Sequence, residues 1–376
     1  MNRMSFFLLG IVGVFLLLSV FFSSPTDAYP VLQVTITPTV FDYLPFVAKN
    51  WPLTPTPTPS RPPLAYVANA VSNTVSVIDT TNNTVIETIS GFQNPSSFHH
   101  GVAITPDGRY VYVTNVTSAN ALSIIDTTTN TMIDTLEVGR YPGPLAIAPD
   151  GAYAYVGASN RLSGIDVTTR VVEATLLEGT NPGCLAITPD SEYVYICASF
   201  PARVIVLDAA SRSVVTTINF PSELPGGPDA IAASHDGRYV YVVLGGLSAG
   251  NKLFVVNTEN NSLTYLLDLG AWYRGGDIVI TPDDHFAYLV RTGESDDHGD
   301  VEVIDLQTKT KVTNVPAGVN PYGAAMAPDG RYVYVTSWGY VGQPGSVSVI
   351  EINTNSVIST ISVGERPFGI AIQDSR

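Results

Sequence analysis

The chain has 376 residues, of which 45% are hydrophobic and 14% charged, and 33 Asp plus Glu against 18 Lys plus Arg leave a net charge of −15. The hydrophobic content excludes disorder along the whole length, and two Cys exclude a disulfide-framework mini-protein. The acidic balance argues against a nucleic-acid partner, because neutralising phosphates takes clustered Lys and Arg.

Residues 1–28 read as an export segment. Arg3 and the amino terminus precede an uncharged apolar run from Phe6 to Phe22, which Ser23, Ser24 and Pro25 end. Thr26-Asp27-Ala28 puts small residues at both ends of a cleavage triplet. The run is longer than a usual signal-peptide core and shorter than a full membrane span. Two readings therefore stand: a signal peptide cleaved after Ala28, or an uncleaved anchor that holds the protein to a membrane through residues 6–22. Either puts the remainder outside the cytoplasm, secreted or at the cell surface, since Arg3 favours an inside amino terminus. No Cys follows the run, which argues against a lipoprotein anchor.

Residues 29–63 read as a linker. The Pro/Thr tracts TITPTV and LTPTPTPSRPP cannot pack a core and hold an extended polyproline backbone, a semi-rigid spacer. Between them Phe41 to Trp51 is more apolar than a spacer requires. A strap packed on a neighbouring domain and an envelope-attachment segment both fit.

From Leu64 to Arg376 one unit recurs. Its clearest copy is VAITPDGRYVYVTN (Val102 to Asn115) followed by LSIIDTTTNTMIDTLEVG (Leu122 to Gly139), and it restarts at Leu145, Leu185, Ile231, Ile278, Ala324 and Ile370, with spacings of 40 to 47 residues. Period-two alternation and β-branched residues predict four short strands per unit. Thr-Pro-Asp-Gly turns follow strand one and Asp-Thr-Thr-type turns follow strand three. The first unit, from Leu64, lacks strand one, and the last fragment, Gly369 to Ile372, is a strand one with nothing after it. Joined, they complete a seventh unit. The prediction is an all-β chain, a seven-bladed β-propeller of four-stranded blades closed by pairing the C-terminal strand with the N-terminal blade. Closure leaves no naked sheet edge between first and last repeats.

Tyr112-Val113-Thr114-Asn115, preceded by ITPDGRYV, resembles the signature of YVTN-family β-propeller repeats, with variants at Tyr66, Tyr155, Tyr195, Tyr241, Tyr288 and Tyr334. The resemblance covers residues 64–376 and implies the fold. Such repeats occur in archaeal surface-layer proteins and exported bacterial proteins, and lactonase-type propellers and the haem-bearing propeller of a nitrite reductase look similar. The resemblance therefore implies several activities rather than one.

In such a ring the short, repetitive turns share one face, and the loops from strand two to three and from strand four to the next blade share the other. The variable loops include Ser90 to Gly101, Asn219 to Ala230, Leu269 to Asp277, Arg291 to Asp300 and Ser337 to Ser346. They and their neighbours carry Arg140, Tyr141, Trp272, Tyr273, Arg274, Tyr322, Trp338, Tyr340 and Arg366, and aromatic and Arg side chains are the usual anchors of a binding surface. Covering the ends of neighbouring blades is the structural role open to any one of them.

Candidate chemistry is thin. His99 and His100 precede an innermost strand, and adjacent residues on an extended segment point to opposite sides, so at most one lines the channel. Neither has a motif partner. Zinc, haem-attachment and nucleophile-elbow spacings do not occur in the sequence, and no cofactor or metal is expected. Glu294, Asp296, Asp297 and Asp300 crowd one loop without EF-hand spacing and read as a solvated acidic loop. Pairing Thr188 with Tyr193 across their turn brings Cys184 opposite Cys197, within reach of a disulfide if the chain is oxidised on export; two reduced thiols are the alternative. The reading is a binding or interaction module at the cell surface, its partner a protein, glycan or small molecule. The alternative is a lactonase-like hydrolase in the central funnel using His99 or His100 with Arg140, Arg274 and Arg366.

Overall fold

The computed structural model describes residues 8–11, 14–17, 62–95, 101–116, 120–224, 226–245, 250–270, 274–293 and 298–373. It divides into Met1–Thr58 and Pro59–Arg376. In the first unit Leu8–Ile11 pairs antiparallel with Val14–Leu17. Among the described residues no helix is long and apolar enough to cross a membrane.

The second unit is a ring of seven four-stranded antiparallel sheets. Blade 1 takes its innermost strand, Pro367–Ile372, from the C-terminus and pairs it with Leu64–Asn69, which is followed by Thr74–Asp79 and Thr84–Ser90. Val67 faces Ile370 and Ala65 faces Ile372 across this join. Blades 2 to 7 begin at Val102, Leu145, Pro182, Gly227, Arg274 and Pro321 and run through four consecutive strands each. In blades 4 to 7 the first strand starts several residues ahead of the repeat and carries a register shift, as between Pro228 and Ala230. Pro is tolerated at the start of a strand and a bulge absorbs the extra residue, so this extension carries no period-two signal.

The hydrophobic core forms seven layers, one between each pair of adjacent blades. Outer strands leave apolar residues such as Ile86, Ile133, Val214 and Val312 half exposed. Each outer strand is bulged against its neighbour, in six blades at the same position, as at Val77/Ile78 and Val349/Ile350.

The turns explain the repeat. In the Thr-Pro-Asp-Gly turn, Asp107 Oδ1 accepts from the Arg109 N–H (3.0 Å) and the Thr105 hydroxyl (2.5 Å), and Asp190 and Asp283 do the same in their blades. These Asp residues are therefore structural. The turn after strand three needs one residue with positive φ, supplied by Asn83, Asn130, Asn261 and Asn355 in four blades and by Arg170, Arg212 and Lys309 in the others. Asn tolerates that conformation better than most residues.

Asn also latches the blades. The buried strand-two Tyr of one blade donates its hydroxyl to the Asn Oδ1 of the next: Tyr66 to Asn130 (2.7 Å), Tyr195 to Asn261 (3.2 Å), Tyr288 to Asn355 (2.6 Å) and, across the closing seam, Tyr334 to Asn83 (2.7 Å). Where Arg stands instead, it lies over the preceding blade's outer Tyr, Arg170 over Tyr110 (4.6 Å) and Arg212 over Tyr153 (4.5 Å). Tyr112 is left buried with a hydroxyl that has no hydrogen-bond partner. Tyr334→Phe is therefore expected to destabilise the ring by about 1 kcal/mol, whereas Tyr112→Phe, which removes an unsatisfied group, is neutral or stabilising. Paired thermal melts check the difference, and equal losses in the two variants would refute the latch.

Candidate ligand-binding face

The variable loops are tied together where the ring closes. Ala70 and Val71 N–H donate to the carbonyls of Arg366 and Glu365, Glu365 N–H donates to Ser72 Oγ, and Gly345 N–H donates to the Gly364 carbonyl. Beneath them Tyr322, Trp338 and Phe368 form an aromatic knot with ring centroids 4.7–5.1 Å apart. Gly323 permits this approach, because a Cβ there would sit 2.1 Å from the Phe368 carbonyl oxygen. Tyr322 is buried and Trp338 half-buried, with the Arg366 guanidinium 5.9 Å from its ring centroid. The Trp338 Nε1–H is buried without an acceptor. Tyr322 and Trp338 thus support the surface more than they present it. Above the knot Tyr340 is 50% and Val341 82% exposed.

Two further outposts stand on other blades. Tyr141 is 58% exposed at a positive φ of 51°, with the Arg140 guanidinium 5.7 Å from its ring. Phe200 is 96% exposed, also at positive φ, in the short Ser199-Phe200-Pro201 connection of blade 4. Sequence reasoning missed Phe200 because it weighed long loops; the signal was a lone large apolar residue between Ser and Pro in a turn. Just below it Cys184 and Cys197 face each other in register, both buried, with Cα atoms 5.0 Å apart and sulfurs at bonding distance.

His99, His100, Trp272, Tyr273, Glu294, Asp296 and Asp297 lie outside the described residues. Arg274 opens the first strand of blade 6. Asp300 is engaged by Arg291 (2.7 and 3.1 Å) and Asn314 (2.9 Å). Beside it Glu302, only 1% exposed, pairs with Lys311 at 2.8 Å and Arg291 at 3.6 Å. The same ladder position holds buried Ser76, Ser123, Ser163 and Ser348 in other blades, so Glu302 is a local departure supported by its own two cations. Among the described residues no three His, Cys, Asp or Glu are grouped to hold a metal ion.

The regular face carries equivalent clefts between blades, of about 520 Å³ at the 2–3 seam, 590 Å³ at 5–6 and 460 Å³ at 6–7. Each is walled by the strand-one turn and Tyr or Phe residues of one blade and by two turns of the next. An apolar recess of about 410 Å³, lined by Ile147, Leu185, Ile187 and Ile231, opens at the innermost strands of blades 3 to 5. Two Asp carboxyls on this face are held below their usual range, Asp126 chiefly by the Thr128 hydroxyl and Asp166 chiefly by the Thr169 backbone N–H. They are ionised at neutral pH.

A closed seven-bladed ring with one repetitive and one variable face defines a β-propeller. The chain belongs to the YNCE-like beta-propeller family, whose model matches residues 44–376. No curated protein matches it. Solved structures share the fold: hydrazine synthase of Kuenenia stuttgartiensis (20% identity, TM-score 0.65, 76% of this chain and 91% of that one) and a candidate 6-phosphogluconolactonase of Bacteroides fragilis (16%, 0.66, 85% and 100%). A hypothetical selenium-binding protein of Sulfolobus tokodaii is also similar (13%, 0.68, 83% and 94%).

Proposed function

We propose that the protein is an exported, surface-associated binding module that meets its partner through the variable face. The observation that carries this reading is the placement of exposed aromatics, Tyr141, Phe200 and Tyr340, on the loops of one face of a closed ring. Solvent-facing rings of this kind are otherwise unfavourable and serve as anchors at interfaces. Pro63, whose carbonyl accepts from Thr80 in the turn after strand three, lies at the regular face of the ring. The apolar run from Phe6 to Phe22 and the Pro/Thr linker support export and a spacer.

The lactone-hydrolase alternative draws on the fold shared with the candidate 6-phosphogluconolactonase and would place the base at His99 or His100. One set of variants separates the two. The Tyr141→Ala, Phe200→Ala, Tyr340→Ala protein is expected to keep its melting temperature within a few degrees and to lose at least tenfold in binding to glycan and envelope-fragment arrays. Lactone hydrolysis by the wild type, abolished in a His99→Ala, His100→Ala protein, would overturn the binding reading. Amino-terminal sequencing of the exported protein is expected to begin at Tyr29 if the leader is cleaved, and at Met1 if it is retained as the anchor.

A further inference from the structure

Three Asn-x-Ser/Thr triplets occur in the chain, at Asn82, Asn115 and Asn260. Such a triplet accepts N-linked sugar when it lies on the surface of an exported protein, and burial in the ring separates the three. Asn115 is 4% exposed and its Nδ2–H donates to Ser123 Oγ (2.9 Å), so it has no room for a sugar. Asn82 and Asn260 are exposed, as are Thr84 and Ser262, in the turns after strand three of blades 1 and 5. The middle residue of each triplet is a latch Asn at positive φ, Asn83 bonded by Tyr334 and Asn261 bonded by Tyr195. The latch fixes the turn while the two flanking side chains face water.

The turn itself does not require Asn at the first position. In blades 2, 4, 6 and 7 the residue before the positive-φ position is Thr or Ser, and its hydroxyl bonds the hydroxyl two residues on. These pairs are Thr129 with Thr131, Ser211 with Ser213, Thr308 with Thr310 and Thr354 with Ser356, at 2.7–2.8 Å. Asn82 puts a carboxamide in place of that hydroxyl. Its Oδ1 accepts from the Thr84 hydroxyl (2.5 Å) and N–H (3.1 Å), and its Nδ2–H donates to Asp79 Oδ2 (3.2 Å). At Asn260 the Ser262 N–H donates to Oδ1 (3.0 Å). The hydroxyl of the triplet thus holds the Asn82 carboxamide in one orientation. We propose that Asn82 and Asn260 are N-glycosylation sites, modified from a lipid-linked pyrophosphate sugar during export. The Asn Nδ2 bonds to the anomeric carbon of the sugar, and the bond from that carbon to the pyrophosphate oxygen breaks. The lipid pyrophosphate leaves with the electron pair, and the amide proton passes to a base of the transferase. The proposal rests on the export reading. It puts both sugars on the regular face, opposite Tyr141, Phe200 and Tyr340.

The test is peptide mapping by mass spectrometry of the full chain recovered from the envelope and medium of its source cells. Sugar is expected on Asn82 and Asn260 and none on Asn115. Asn82→Gln and Asn260→Gln are each expected to lower the intact mass by one glycan, and both keep the latches at Asn83 and Asn261. Thr84→Val retains Asn82 but removes its hydroxyl partner. It is expected to cut occupancy at Asn82 about tenfold, the order of effect of losing one hydrogen bond to the reacting group, and to leave Asn260 modified. An exported chain bare at Asn82 and Asn260, sugar on Asn115, or unchanged occupancy in Thr84→Val would overturn the proposal and leave the export reading standing. A chain retained wholly in the cytoplasm would overturn both.

Discussion

Deleting Pro367–Arg376 is expected to abolish the folded monomer. The segment carries the innermost strand of blade 1 and buries Phe368 and Ile370. Without it Leu64–Asn69 loses its ladder partner, the core layer between blades 7 and 1 loses Ile370, and the aromatic knot loses one of its three rings. Burying two large apolar side chains is worth about 3–6 kcal/mol, and the lost ladder bonds add to that. The total is comparable with the whole stability of an ordinary domain, about 5–15 kcal/mol. The exposed strand would then pair with other chains. Size-exclusion chromatography with circular dichroism checks this, and a soluble monomer melting near the wild-type temperature would contradict closure by the tail.

The Cys184→Ala, Cys197→Ala protein is expected to lose about 3 kcal/mol, the chain-entropy value for a bridge spanning a loop of this length. That corresponds to a melting temperature lower by roughly 6 °C. Both positions are 0% exposed in the hairpin below Phe200, so the replacement leaves small voids that add to the loss. The oxidised state itself is checked by titrating thiols in unreduced, unfolded protein. Two free thiols, or a melting temperature unaffected by the double replacement, would exclude a stabilising bridge.

Much of the architecture was legible because the repeat is written in local chemistry. Thr-Pro-Asp-Gly carries its own hydrogen bonds, and the unpaired fragment at Ile370 required a partner in the blade that begins at Leu64, which is where it pairs. The assignment of Cys184 opposite Cys197 likewise followed from one turn and the period of two. What escaped was chemistry acting between blades. Ser191 and Asp284 replace the turn glycine at positive φ, a departure without local sense. Ser191 Oγ accepts the Asp150 N–H of the preceding blade, and the Asp284 carboxylate accepts the N–H groups of His235 and Asp236. Substituting a strained position is offset by a bond to a neighbour forty or more residues away, which no window of sequence contains. At the candidate face the sequence located Tyr141 and Tyr340 as exposed loop aromatics but gave Tyr322 and Trp338 the same weight. Distinguishing a ring that faces solvent from one folded under it requires knowing which loops meet, and that depends on closure of the ring.

The bulges on the outer strands have a consequence for crowding. An unbroken rim ladder would let neighbouring molecules zip side by side into continuous sheets, and the half-exposed valines and isoleucines along it would favour that outcome. Interrupting each rim strand against its inner neighbour offsets the donors and acceptors that such zipping needs. Side-by-side fusion of copies through their rims is thereby disfavoured, and the propeller can stay a discrete particle at high concentration.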